Sequence, residues 1–366
     1  MNTKQSISPG QLAAMMVLYQ FGTALVIPIG LEAEQSAWLS TLIALPGGLA
    51  LFLLYTYLQN QFPNASLSGY IRTIAGRYIG YPICVFYMVT FLYSASRNLR
   101  EAGDLLVTAA YDRTPLFLIH FVMTTAVVYV LNKGIETFFR LGQVYLVIML
   151  SLGAIGNAAV LTSGVIDLNN LLPIQGGGWG NVLKAAYPHI WLFPFGEVVA
   201  FATVLRAVHH RKRIRRAGIV AMLLAGVMLA FSHAMQVAVL GADIYSRATF
   251  PLFTAVSMVN IGDFLQRMDA IVLLTLIIGV FFKMSVNCYA VMTIAADVFR
   301  VADERQLALP VGVVVLFGSM ISAWSFAGHT QEGEVAITFD LLVTCAAIPA
   351  LLFAVHIVRK QFGLYA

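Results

Sequence analysis

The chain has 366 residues, of which 60% are hydrophobic and only 11% are charged, and its mean hydropathy is +0.83. Soluble domains carry about 25% charged residues, so the composition argues against a soluble enzyme. Long uninterrupted apolar runs also argue against an outer-membrane barrel, whose strands alternate apolar and polar residues. The net charge of the chain is +5, and a positive charge of this kind is typical of a helical membrane protein with lysine and arginine in its cytoplasmic loops.

Ten apolar segments are long enough to cross a bilayer, because a helical span needs about 20 residues. In chain order they lie near 11–29, 36–57, 80–110, 115–131, 139–162, 186–205, 217–241, 267–296, 308–327 and 335–357. The first segment is longer than a signal-peptide core and lacks a small-residue cleavage pattern, so we interpret it as a span. The sequence therefore predicts an all-α polytopic membrane protein with ten transmembrane helices.

The spans divide into two sets of five within a single membrane domain that covers 1–366. A first repeat at 11–162 and a second repeat at 186–357 flank an outer loop at 163–185. Repeats with an odd number of spans face opposite ways, which is the inverted-repeat plan of many secondary transporters. The number of spans and their positions in the chain therefore predict a 5+5 inverted repeat.

The loops also predict the orientation of the chain in the membrane. With both termini placed on the cytoplasmic side, most of the 22 lysines and arginines fall in cytoplasmic segments. The basic run at 206–216 is one of these segments, so we interpret it as a cytoplasmic loop rather than a nucleic-acid site. All 4 tryptophans then lie near the outer boundary, as an interfacial belt would.

Two spans carry residues that interrupt a helix near mid-membrane. Span 1 has Gly22 within the run Gln-Phe-Gly-Thr-Ala-Leu, and span 6 has Phe-Pro-Phe-Gly-Glu ending at Glu197. Pro194 lacks a backbone donor and clashes with the preceding turn, and Gly196 tolerates left-handed dihedrals. An unwound turn leaves N–H and C=O groups that a small polar ligand can satisfy. Close packing alone is the alternative explanation for Gly22.

Charged side chains inside the membrane mark functional sites by default. Glu197 directly follows the span 6 break, where it could bind a proton, an amine or a cation. Lys283 lies in the middle of span 8, where it could be a fixed or a titrating cation. The structural alternatives are an acid that accepts backbone hydrogen bonds and an ion pair that locks two helices.

Span 3 carries two i,i+4 pairs of opposite charge, which we interpret as a self-paired polar stripe rather than a binding site. The pairs are Arg97 with Glu101 and Arg100 with Asp104. The three cysteines and the scattered histidines show no metal-ligand spacing. No nucleophile motif is present, and the glycine run at 176–180 lacks the context of a phosphate loop. The sequence predicts no metal, cofactor or catalytic residue.

Short motifs along nearly the whole chain resemble one family. They are Ile-Ser-Pro-Gly-Gln-Leu at 7–12, Gln-Phe-Gly at 20–22, Phe-Pro-Asn at 62–64, Ala-Gly at 75–76 with Gly80, Leu-Arg at 99–100, Thr-Pro at 114–115, Pro-Phe-Gly-Glu at 194–197 and Gly-Asp-Phe-Leu-Gln-Arg-Met-Asp at 262–269. In this order they resemble the B subunits of spore germination receptors, also called spore permeases. That family lies within the amino acid–polyamine–organocation transporter superfamily.

The resemblance implies a LeuT-like fold, in which helices 1 and 6 of the ten-helix inverted repeat are discontinuous. It also implies a place in the inner membrane of the spore beside a membrane A subunit and a lipoprotein C subunit. It further implies that the chain binds the nutrient germinant, commonly an amino acid and sometimes a nucleoside.

Carried over by position, the resemblance implies a ligand pocket at the two breaks. Its residues would be Gly22, Thr23, Ala24, Tyr93, Phe193, Phe195, Gly196 and Glu197. The contact between spans 1 and 8 often holds a sodium ion in this fold, and Lys283 would replace that ion with a tethered charge. Span 1 has Gly-Thr-Ala where related transporters commonly have a doubled glycine.

Three functions remain open on the sequence. The first is a germinant-sensing receptor subunit. The second is a proton-coupled, sodium-independent amino-acid transporter. The third is a conduit for water, ions or small solutes. A receptor can retain a transporter fold, so the fold does not separate them.

Overall fold

The computed structural model describes residues 6–174, 178–259, 268–322, 328, 333 and 337–363. Its α-helices are α1 Pro9–Phe21, α2 Ala37–Gln61, α3 Leu67–Ala109, α4 Leu116–Asn132, α5 Ile135–Thr162, α6 Trp179–Lys184, α7 Arg211–Arg247, α8 Pro251–Ser257, α9 Asp269–Phe299, α10 Ala308–Ile321 and α11 Ile348–Gln361. Tighter or wider helical turns form Leu31–Ser36, Leu168–Leu171, Ala185–Phe195, Gly196–Thr203, Leu205–Ala207, Glu304–Leu307 and Ile337–Ala347. The all-α prediction is confirmed.

Seven helical stretches among the described residues are long and apolar enough to cross a membrane. They coincide with predicted spans 2, 3, 5, 7, 8, 9 and 10, and α4 is a shorter apolar helix at span 4. Spans 1 and 6 are the remaining two, and neither forms one continuous helix. The count of ten spans therefore stays a prediction. Parts of spans 8, 9 and 10, of the glycine run at 176–180 and of the motif at 262–269 lie outside the described residues.

Two helices extend beyond the predicted span boundaries. The α3 helix begins at Leu67 and leaves the helical conformation once, at Gly76, before it enters the predicted span. The α7 helix covers 37 residues and changes direction at Gly241. Hydropathy detects only the apolar centre of a helix, so polar turns that continue it beyond the hydrocarbon are missed.

The predicted break in span 1 is present. A capping box starts α1, in which Ser8 Oγ accepts from the Gln11 N–H at 3.1 Å and Gln11 Oε1 accepts from the Ser8 N–H at 2.8 Å. The helix ends at Phe21 because Gly22 takes φ of +25°, a conformation that residues with a Cβ rarely adopt. The chain then runs through irregular turns to Leu31.

The unwound part of span 1 is held by polar side chains of α7. The Tyr245 hydroxyl donates to the Ile29 carbonyl at 2.9 Å and accepts from the Ile29 N–H at 3.2 Å. Gln236 Nε2 donates to the Leu25 carbonyl at 3.2 Å. Backbone groups that a broken helix frees inside a membrane need such partners. The α7 helix therefore fixes the path of the break.

The residues before α1 pair with the residues that follow span 6. The Ile7 N–H donates to the Ala207 carbonyl, and the His209 N–H donates to the Ile7 carbonyl, both at 3.0 Å. The Ser6 hydroxyl lies 2.9 Å from His209 Nε2. The start of span 1 and the end of span 6 therefore lie at the same end of the helix bundle.

Gly279 of α9 gives the span 1 break its close contact with the bundle. A Cβ at position 279 would lie 2.9 Å from the Gly22 carbonyl oxygen and 3.1 Å from the Gly22 Cα. Only a glycine lets the two backbones approach this closely.

We predict that Gly279→Leu lowers the stability of the protein by about 1–3 kcal/mol, because the larger side chain forces the break away from α9. Thermal unfolding of the purified protein in detergent measures the effect. Gly153→Leu is the matched control, since a Cβ at this helical glycine of α5 meets nothing within 4 Å. Equal midpoints for the two variants would contradict the close contact.

We also predict that Tyr245→Phe destabilises the protein by about 1–3 kcal/mol, because it leaves the buried N–H and C=O of Ile29 without the tyrosine hydroxyl. Tyr129→Phe removes a hydroxyl from a side chain that is 64% exposed, so it should leave the unfolding midpoint unchanged. Hydrogen exchange at 22–30 should increase in the Tyr245 variant only. Unaltered exchange there would show that α7 does not hold the break.

Candidate functional site

The predicted break in span 6 is present and is wider than expected. The backbone of Ala185–Phe195 leaves the helical conformation at Tyr187 and again at Phe193, where φ is −120° and ψ is 117°. Each of these residues precedes a proline, and proline disfavours the helical conformation in the residue before it. A tight helical turn resumes at Gly196–Thr203. Glu197 therefore stands in the first turn after the break.

Glu197 and Lys283 form a buried ion pair. Lys283 Nζ lies 2.7 Å from Glu197 Oε2, and the two side chains are 0% and 7% exposed. Lys283 projects from the middle of α9, so the pair joins this straight helix to the broken one. Two charges taken out of water are tolerated only when they are paired, because each carries a desolvation penalty of several kcal/mol.

Two aromatic rings complete the surroundings of the Lys283 ammonium. Nζ lies 4.3 Å from the centroid of the Phe193 ring and 5.6 Å from that of the Tyr19 ring. Both distances are within the range of cation–π attraction. The Tyr19 hydroxyl donates to Asn287 Oδ1 at 3.0 Å, which fixes the orientation of that ring. We call Glu197, Phe193 and Tyr19 the ammonium box.

The span 1 break meets the stem of Lys283. A Cβ on Gly22 would lie 2.5 Å from Lys283 Cδ, so the lysine stem occupies the space that a side chain at position 22 would need. The breaks of spans 1 and 6 and the centre of α9 therefore meet at one residue. This is the contact between spans 1 and 8, where the family resemblance predicted Lys283.

Of the other residues predicted to line the pocket, Thr23, Ala24 and Gly196 adjoin the two breaks, whereas Phe195 faces α2. Thr23 and Ala24 are fully buried, and no hydrogen-bond partner of Thr23 Oγ1 is found in the described part of the chain. The Gly196 carbonyl accepts from the Tyr55 hydroxyl at 3.3 Å. Phe195 packs against α2, where its Cβ lies close enough to Gly48 to leave no room for a side chain at position 48.

Tyr93 belongs to the polar stripe of α3. Its hydroxyl accepts from Arg97 Nη1 at 3.4 Å. Along the same stripe Arg97 lies 3.5 Å from Glu101, and Arg100 Nε lies 2.9 Å from Asp104. Both i,i+4 pairs predicted from the sequence are present.

Two side chains near the site were not predicted. Tyr19 lies in the last turn of α1, three residues before Gly22. This helical spacing was the signal in the sequence that Tyr19 lies beside the break. Asp340 is half-buried and accepts from the Thr90 hydroxyl at 2.8 Å. Its neighbours depend on how α3 meets the Ile337–Ala347 turn, and sequence spacing does not show that. Among the described residues, no group of three or more His, Cys, Asp or Glu could hold a metal ion.

Comparison with known proteins identifies relatives across nearly the whole chain. It is 33% identical to spore germination protein KB of Bacillus subtilis (strain 168), over 98% of this chain and 96% of that protein. It is also 21% identical to spore germination protein XB of Bacillus anthracis, over 77% of each protein.

Solved structures share the fold at 13% identity. MhsT in complex with L-phenylalanine aligns with a TM-score of 0.55 over 95% of this chain and 97% of that chain. A manganese transporter from Eremococcus coleocola, in complex with an aromatic bis-isothiourea compound, aligns with a TM-score of 0.54 over 94% of this chain and 75% of that chain. The likeness shows the LeuT-like transporter fold alone.

The family model described as "Spore germination protein" matches residues 6–327, a range that contains both breaks and the ion pair. The match agrees with the identity to protein KB along nearly the full length of both chains. The chain is therefore a member of the spore germination protein family.

Proposed function

We propose that this chain is the germinant-sensing subunit of a spore germination receptor and that it binds a small molecule rather than catalysing a reaction. The observation that carries the proposal is the buried Lys283–Glu197 ion pair at the point where two broken helices meet. Broken helices place free backbone groups and helix ends beside a ligand. A ligand that prefers one arrangement of these helices shifts the population toward it, and partner subunits can detect that shift.

The proposed germinant is a small amino acid or a nucleoside. It would bind beside Gly22, Thr23, Ala24, Tyr93, Phe193, Phe195, Gly196 and Glu197. Lys283 would act as a tethered cation in the place of a sodium ion. The support for this role is the contact of the Lys283 stem with Gly22, because the stem fills the junction between span 1 and α9. Ligand binding would then be independent of sodium.

The proposed partners are the A and C subunits of the receptor, in the inner membrane of the spore, with both termini on the cytoplasmic side. The name of the relative, spore germination protein KB, supports the receptor assignment. The pairing of Ile7 with the residues after span 6 supports the orientation, since it places the N-terminal residues beside the basic segment at 206–216. That segment is the strongest cytoplasmic signal in the sequence.

A proton-coupled amino-acid transporter is the second candidate. The observation that favours it is the alignment with 97% of the chain of MhsT, a protein whose solved structure holds L-phenylalanine, so that little of this fold is missing here. Uptake of a radiolabelled amino acid into proteoliposomes that contain this chain alone would favour transport over sensing.

We predict that Glu197→Gln/Lys283→Met keeps the fold but abolishes the response to germinant. Replacing both members of a buried pair is often neutral, whereas Lys283→Met alone leaves an unpaired carboxylate and costs about 3–5 kcal/mol. The measurements are the unfolding midpoint in detergent and the germination of spores that carry the variant. Arg140→Met/Glu136→Gln removes an exposed i,i+4 pair and is the matched control.

The ligand can be identified by measuring the thermal unfolding midpoint of the wild-type chain with a panel of amino acids and nucleosides. Each compound is measured in sodium chloride and in potassium chloride. A ligand that binds only the folded state raises the midpoint with dose. We expect the same rise in both salts, and its loss in the double variant. A rise that requires sodium, or one that survives in the double variant, would contradict the proposed site.

A further inference from the structure

The ammonium box has the composition of a site for an ammonium ligand. Proteins bind ammonium groups with aromatic faces and a carboxylate, and both are present in Phe193, Tyr19 and Glu197. The cation that occupies this box is Lys283 of the chain itself. The protein therefore holds an internal copy of the group that an amine ligand would present.

The lysine is held rigidly in this position. It is fully buried, its stem lies against Gly22, and it projects from the centre of α9. The box walls come from α1 and from the Ala185–Phe195 and Gly196–Thr203 turns, so three separate elements enclose one ammonium group. Moving Nζ out of the box would leave two buried charges without partners, which costs several kcal/mol for each ion.

The other carboxylates near the site have partners of their own in the described part of the chain. Glu101 is paired with Arg97, and Asp340 accepts from the Thr90 hydroxyl. A ligand ammonium in the box would have to displace Lys283 from Glu197 or lie beside the Lys283 ammonium, and an uncompensated buried charge is strongly unfavourable.

We propose that Lys283 is a specificity-determining residue, which occupies the ammonium box and excludes ligands that present a free ammonium group. This inference rests on the proposed function and narrows it to germinants without a charged amine. Because Glu197 is already paired with Lys283, it presents no unbalanced negative charge to a ligand ammonium. The buried hydroxyl of Thr23 beside Gly22 offers a hydrogen bond to a ligand hydroxyl.

The first test is chemical rescue of Lys283→Ala with n-propylammonium chloride, which supplies the three carbons and the ammonium that the substitution removes. We expect a dose-dependent rise in the unfolding midpoint of Lys283→Ala and no rise for the wild type, whose box is occupied. Two controls isolate the charge and the box. Neither 1-propanol on Lys283→Ala nor n-propylammonium on Glu197→Gln/Lys283→Ala should raise the midpoint. A folded Lys283→Ala without rescue, or equal rescue by 1-propanol, would overturn the proposal.

The second test uses the wild-type chain, so it does not depend on the folding of a variant. The unfolding midpoint is measured with nucleosides and hexoses, and with amino acids and hexosamines as ammonium-bearing counterparts. We expect rises only from compounds without an ammonium. A rise with an amino acid or hexosamine that is lost in Glu197→Gln or in Asp340→Asn would overturn the exclusion.

The two tests separate this inference from the proposed function. Rescue by n-propylammonium, in a chain whose wild type responds to no compound of the panel, would uphold the occupied box and count against germinant sensing at this site. A Glu197-dependent response to amino acids would uphold sensing and overturn the role of Lys283 in specificity.

Discussion

The structure depends on one electrostatic constraint, which is that an ammonium and a carboxylate buried among apolar helices must stay together. Lys283 and Glu197 satisfy it at 2.7 Å with almost no exposure to solvent. Each charge alone would carry a desolvation penalty of several kcal/mol. The pair therefore fixes the position of the span 6 break relative to α9, and the lysine stem in turn requires a residue without a side chain at Gly22.

The two breaks raise a second problem, since each exposes backbone groups inside the membrane. The chain solves it with side chains of neighbouring helices. Tyr245 and Gln236 of α7 bind the backbone of span 1, and Tyr55 of α2 binds the Gly196 carbonyl. These hydrogen bonds stabilise the breaks, because they give partners to backbone groups that lie inside the membrane. A ligand that entered here would meet a site of fixed shape, and such preorganisation lowers the cost of binding.

A fixed internal cation also bears on the choice between sensing and transport. A transporter that couples substrate to an ion must release that ion in each cycle, whereas Lys283 is covalently attached and fully buried. Proton coupling would require the lysine or the glutamate to titrate while its partner stays compensated. A sensor has no such requirement, because ligand binding only has to shift the balance between two arrangements of the bundle. The occupied site is therefore simpler to reconcile with a sensor than with an ion-coupled pump.

The amino-acid sequence by itself determined the membrane-embedded all-α fold, because long apolar runs cannot be left in water. It also located the break at Gly22 and the break before Pro194, although Gly196 itself stays helical and the earlier departure at Tyr187 was not predicted. It placed the i,i+4 pairs of α3, which depend only on helical spacing. Only the tertiary structure decided that Lys283 meets Glu197, that Tyr19 and Phe193 lie beside its ammonium, and that Asp340 accepts a hydrogen bond from Thr90. The paired residues lie far apart in the chain, and their contacts depend on how helices pack. Sequence periodicity shows which face of a helix is apolar, but not which neighbour covers it.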